Sequence, residues 1–209
     1  MKFYEFTSSH VGGRTFPWAS GYGPLSEMPF MDNLPEVFRE NMSQFWKVNP
    51  SAPGMDIDPG GKSWSDMIGS GLGLPSHFVS ERIIRDLNEN SIPFLRATEM
   101  PIASIMAKAL KKIPPPKYYV LEAEPGLEVW SEKVSVEDQI AARKEIPSRF
   151  ILPSRLKGNA DSWKGMDLMS PLSPTGNMMT ASLYCTDRIK ELADQKGWTN
   201  VKFEEISVA

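Results

Sequence analysis

The sequence predicts an α+β protein whose mainly antiparallel sheet is flanked by helices. Runs rich in aromatic, aliphatic and β-branched residues recur at 117–130, 178–185 and 199–207, which is strand composition. Hydroxyl residues at Ser80 and Thr186 precede apolar residues at helical spacing, which is how capped helices begin. Size is the third observation: 209 residues with 41% hydrophobic content can bury a sizeable core as one large domain or two small lobes.

Taken in order, residues 1–6 read as a first strand and residues 7–32 as mostly loop, punctuated by Gly12, Gly13, Pro17, Gly21 and Gly23. From Pro35, a good first helical residue, Phe38, Met42, Phe45 and Trp46 recur at helical spacing until Asn49-Pro50 ends the run. This stripe reads as core in preference to a partner-binding groove. Residues 1–62 are therefore expected to form an irregular and helical segment packed on a main domain of residues 63–209. The Asp56 and Asp58 pair sits in a Pro- and Gly-dense loop but lacks the further ligands of a calcium loop, so no metal is assigned.

In the stretch Trp64–Phe94 a loop with Gly69, Gly71 and Gly73 leads to a short strand, His77-Phe78-Val79, that stops at the helix cap Ser80. Glu81 lies in the first turn, where negative charge suits the helix dipole, and Ile83, Ile84 and Leu87 share one face before Pro93 ends the unit. Pro101 opens another expected helix, with Ile102, Ile105, Met106, Ala109 and Leu110 on one side and Pro114-Pro115-Pro116 as its stop. Residues 117–130 read as a hairpin turning at Glu124-Pro125-Gly126. Ser135 is a cap for a short helix to about Ala142, residues 149–152 are a strand, and 156–166 is a polar, glycine-containing connection.

The last third runs strand, helix, strand. Met179, Ala181, Leu183 and Cys185 alternate, Thr186 caps a helix carrying Ile189, Leu192 and Ala193, and Gly197 stands where a helix end takes a left-handed residue. Val201 and Phe203 alternate into a final strand whose pattern breaks at Glu204-Glu205-Ile206, predicting a bulge or an edge. FVSERIIRDLNENSIPF echoes YCTDRIKELADQKGWTNVKF, although the two leucines, Leu87 and Leu192, fall one residue out of step. Shared caps and helix faces alone produce such an echo, so it predicts no repeat.

Composition excludes several functions. A net charge of −3 without a basic stripe argues against a nucleic-acid platform. Residues 1–100 carry 8 basic and 12 acidic groups, an excess that favours a basic contact partner. One cysteine permits no internal disulfide and fits a reducing, cytoplasmic compartment; no export signal or membrane span is expected. No nucleophile motif, phosphate loop or zinc signature occurs. With only His10 and His77 available, the one imidazole pairing to consider is His77 with Cys185, or with a carboxylate, in a hydrolase or transferase. A small-ligand module rimmed by the 69–75 loop is the other alternative.

Four segments together, W-S-D-M-x-G (Trp64–Gly69), V-S-E-R running to I-P-F (Val79–Phe94), K-Y-Y-V-L (Lys117–Leu121) and C-T-D-R-I-K-E-L…G-W-T-N-V-K-F (Cys185–Phe203), resemble the immunity-protein family of bacterial polymorphic-toxin systems, first catalogued as a domain of unknown function. The resemblance spans roughly residues 60–209, and residues 156–177 have no counterpart in it. It implies a cytoplasmic α+β protein that binds and neutralises a cognate toxin, with no enzyme activity and no cofactor. The side chains first in line for contact are Trp64, Asp66, Glu81 and Arg82, which combine aromatic and charged groups beside the glycine loop; the plainer reading makes Trp64 core and Asp66 a turn cap. Oligomeric state is not assigned.

Overall fold

A computed structural model describes residues 1–9, 16–22, 54–70, 77–133, 154–171 and 183–208. These form mostly sheet, with two flanking helices, α1 (Glu81–Glu89) and α2 (Asp187–Lys196). One set of strands closes a barrel: β1 (Phe3–Ser8), β9 (Pro125–Lys133), β10 (Ser154–Asn159), β11 (Leu168–Pro171), β12 (Leu183–Thr186) and β13 (Val201–Val208), in the order β1-β12-β11-β9-β10-β13. The others are β2 (Trp18–Tyr22), β3 (Met55–Ile57), β4 (Met67–Ser70), β5 (His77–Ser80), β6 (Arg96–Met100), β7 (Ile102–Ile105) and β8 (Tyr118–Glu122). They form a second sheet in the order β6-β8-β5-β4-β2-β3-β7. Its two end strands are consecutive in the chain and separated only by Pro101, so this sheet also curls round on itself.

The two sheets repeat each other. Read from β8 to β7, every pairing has the direction found from β1 to β13: antiparallel, antiparallel, parallel, antiparallel, parallel. Register agrees residue by residue. Tyr118 lies opposite Ser80 and Met100, and Phe3 lies opposite Thr186 and Ile206. A constant displacement of 106 residues thus carries Ser80 onto Thr186 and Met100 onto Ile206. The strand that completes the second unit, β1, comes from the other end of the chain.

Alternating side chains of these strands feed three cores. Ile68, Phe78, Tyr118 and Val120 fill the interior of the first sheet. Met169, Tyr184, Phe3 and Ile206 fill the barrel. Between them lies the largest core, where Met67, Val79 and Leu121 meet Leu168, Cys185 and Phe6 beneath both helices. The helices bury matching positions: Ile83, Asp86 and Leu87 in α1, and Ile189, Leu192 and Ala193 in α2. Each large aliphatic group here is worth roughly 1.5–3 kcal/mol of burial. The one-residue mismatch between Leu87 and Leu192 disappears at this level, because Asp86 occupies the place of Leu192. Its carboxylate accepts from the Trp198 indole Nε1 at 2.7 Å and faces the Lys196 ammonium at 3.4 Å, both from the opposite unit.

Several expectations are corrected. The sheets are mixed, with four parallel pairings among the described strands, instead of mainly antiparallel. No helix begins at Pro101; Ile102–Ile105 is β7, pairing with β3, so tertiary pairing overrides a short helical pattern. Residues 117–130 contain two strands but no hairpin, since β8 pairs with β5 and β6 while β9 crosses to the barrel to pair with β10 and β11. No bulge occurs at 204–206: β13 pairs with β1 without a register shift from Val201 to Ile206 and reaches β10 only at Ser207 and Val208. The 156–166 stretch contributes most of β10 and a short 3-10 turn, Ala160–Ser162, and belongs to the repeat. From the expected amino-terminal segment, β2 and β3 pair with β4 and β7 in the first sheet. The expected helices at Pro35 and Ser135, the strand at 149–152, His10 and most of the glycine loop lie outside the described residues.

Candidate functional site

Both helices start where predicted, but their cap hydroxyls bond elsewhere. Neither Ser80 nor Thr186 makes a side-chain cap to its own helix. Ser80 Oγ donates to Asp66 Oδ1 at 3.1 Å, and Thr186 Oγ1 donates to Asp167 Oδ1 at 2.6 Å. The next basic residue along each helix completes the arrangement. Arg82 binds Asp66 Oδ2 at 3.0 Å and donates to the carbonyls of Lys196 and Gly197 at the end of α2. Arg188 binds Asp167 Oδ2 at 2.7 Å and donates to the Asn90 carbonyl at the end of α1, also at 2.7 Å. Each guanidinium therefore ties its own strand-helix corner to the carboxyl end of the other helix, where cations complement orphan carbonyls. The helix ends match as well: Gly197 takes the left-handed conformation at φ 62°, and Ser91, its equivalent, does so at φ 53°.

Of the four predicted contact residues, two are absorbed by this frame. Asp66 is 7% exposed, accepts from Arg82 and Ser80, and receives both the amide and the hydroxyl of Thr199 at 2.8 and 3.0 Å. That is well beyond a turn cap. Trp64 is half-buried against the first core; its indole N–H donates to the Ile113 carbonyl at 3.0 Å and its ring tilts onto Tyr118. Trp163 performs the matching task on Phe3. Only Glu81 is exposed, with its backbone N–H held by the Lys117 carbonyl.

The two members of the alternative pair lie on strands of different sheets. His77 opens β5 in the first sheet and pairs with Gly69, whereas Cys185 lies in β12 of the barrel. Cys185 is fully buried, and burial, followed by the charges of Asp187 and Asp167, raises its thiol pKa well above the ordinary value, opposite to the lowering expected beside a helix start. Asp187 is itself held low, first by the Lys2 backbone N–H and then by the Tyr4 hydroxyl. Asp56 accepts from Ser104 Oγ at 2.5 Å, and among the described residues no three metal-capable side chains converge.

Sequence reading missed one surface feature. A groove of about 590 Å³ runs along β7, lined by Ile102, Ala103, Ser104, Ile105, Lys111 and Pro115. Its signal was readable: residues 101–117 contain Lys108, Lys111, Lys112 and Lys117 without one acidic residue. No helix among the described residues is long and apolar enough to cross a membrane. Compared with known proteins, the chain matches no family model and no curated sequence.

Proposed function

We propose that this chain is a cytoplasmic, non-enzymatic immunity protein that forms a one-to-one complex with a toxin and neutralises it. What supports the reading is the sequence resemblance taken together with the position of its residues. The W-S-D-M, V-S-E-R and C-T-D-R segments supply Asp66, Ser80, Arg82, Thr186 and Arg188, the groups that lock the two helices. The shared signature is thus a scaffold signature, and an inhibitor needs a stable scaffold with a few surface anchors and no catalytic spacing. Among the four candidate contact residues, the buried Asp66 is retained as support for the surface and Glu81 as the group that reaches a partner directly. Co-expression tests the proposal: the toxin candidate encoded beside this chain should lose its lethality and co-elute with the purified protein. Equal killing with and without the protein, and separate elution, would overturn it.

A further inference from the structure

The two units differ at one edge. In the barrel, the residues just before β1 lie beside the end of β13, because Phe3 is opposite Ile206. In the first unit the chain continues past that point as β7, and Pro115, from the Pro114-Pro115-Pro116 run immediately ahead of Lys117 and β8, borders the groove beside it. Prolines have no N–H to give to a ladder. Among the described strands β7 pairs with β3 alone, and its other side opens into the groove that Lys111 and Pro115 bound.

The chain on either side of Lys111, which lines the groove, is apolar and basic at once. Met106 and Ile113 are 44% and 43% exposed, and all four residues of β7 are half-buried. Lys108, Lys111 and Lys112 are exposed and make no ion pair with any described residue, whereas Lys117 is engaged by Glu99. An edge strand beside a trough with aliphatic and polar lining accepts an extended segment by main-chain pairing, with alternate side chains seated in the trough. Lysines with no ion-pair partner among the described residues favour negative charge on the segment's other face.

We infer that β7 is a docking edge for an extended segment of a protein partner in which aliphatic and acidic residues alternate. The inference deepens the immunity reading by naming the surface and the chemistry of the toxin segment it receives, and rests on it to that extent. Lysine and proline also blunt edges against self-association, and that role predicts no binding of an acidic strand.

The test uses the full chain and a fluorescein-labelled peptide of alternating valine and glutamate, about eight residues long to match a strand, followed by fluorescence anisotropy. Saturable binding below about 1 mM is expected. It should weaken at least about tenfold in the Lys108→Glu/Lys111→Glu/Lys112→Glu variant, whose substitutions are all on the surface, with unchanged thermal unfolding. A peptide N-methylated at alternate residues keeps its charge and should lose binding. Absence of saturable binding, equal affinity for a valine-lysine counterpart, or indifference to the triple substitution or to N-methylation would each overturn the inference. Its failure is distinct from failure of the immunity reading. Toxin neutralised equally by the wild type and the triple variant sinks the docking edge alone; peptide bound by a protein that does not neutralise the toxin sinks the immunity reading alone.

Discussion

The two units of this molecule agree throughout the face where they touch each other and part company at one outer strand. At the shared face, Asp66 and Asp167, Ser80 and Thr186, and Arg82 and Arg188 stand in matching positions, and each arginine caps the opposite helix. Even the outer ion pairs match, with Lys117 on Glu99 in one unit and Lys2 on Glu205 in the other. Away from that face, one unit carries an unbroken β13, whereas in the other β6 stops at Met100 and, after Pro101, β7 runs on beyond the reach of β13. The contrast teaches that the polar frame belongs to the joint between units, and that the edges were free to take different chemistry.

The severest way to break the comparison is to remove β1. Deleting residues 1–8 strips a strand from between β12 and β13 and withdraws Phe3, Tyr4 and Phe6 from two cores. The loss of three buried aromatics, at about 3–5 kcal/mol each, exceeds the usual stability of a domain, so cooperative unfolding should vanish from calorimetry. If β1 is the true counterpart of β8, grafting the same residues behind Val208 through a flexible linker should restore the transition.

A smaller effect separates the two carboxylates. Asp66→Ala removes the carboxylate facing Arg82 and leaves the buried Ser80 hydroxyl and the Thr199 amide without the acceptor they use, and should cost about 3 kcal/mol in urea unfolding. Asp167 and Arg188 have more exposed side chains, at 22% and 54%, and Asp167→Ala should cost about 1 kcal/mol. Equal losses would mean that burial does not distinguish the joints.

Tyr118 and its equivalent Phe3 offer a milder test. Burial, and then the charge of Asp66, raises the Tyr118 hydroxyl well above its usual value; burial and then the bond to Asp187 push Tyr4 up to about 12. Raised folded values favour the neutral phenols. Their contribution is therefore complete below the unfolded value of about 10 and is lost as pH rises beyond it. Tyr118→Phe gives up the bond to the Ser65 carbonyl, about 1 kcal/mol at neutral pH, and should flatten the alkaline decline in melting temperature. The smallest change runs the other way: Ser91→Gly, copying Gly197, should stabilise by about 0.5–1 kcal/mol, since only glycine takes positive φ without strain.

Much of the joint was legible in the sequence. Ser80 and Thr186 marked true helix starts, and Gly197 marked a true left-handed end. What the sequence concealed was pairing at a distance. Residues 117–130 carry strand composition on both sides of a plausible turn, yet propensity does not say that β8 and β9 join different sheets. Likewise Ile102–Ile105 fits one helical face until β3 captures it. The echo between the units breaks at Leu87 in the sequence because an aspartate, Asp86, fills the apolar position, and the Trp198 and Lys196 partners explain how that carboxylate is tolerated.

The position of β1 also sets the order in which the molecule can assemble during synthesis. Every described strand of the first sheet has been made by Glu122, so that unit can close while the remainder of the chain is still being translated. The barrel must wait. Its first-made strand lies against its last, and until Val208 leaves the ribosome the apolar faces of Phe3 and Phe6 have no β13 beside them. For that interval the amino-terminal strand keeps an apolar face uncovered, and the rate of elongation, more than the stability of the finished fold, governs how long it does so.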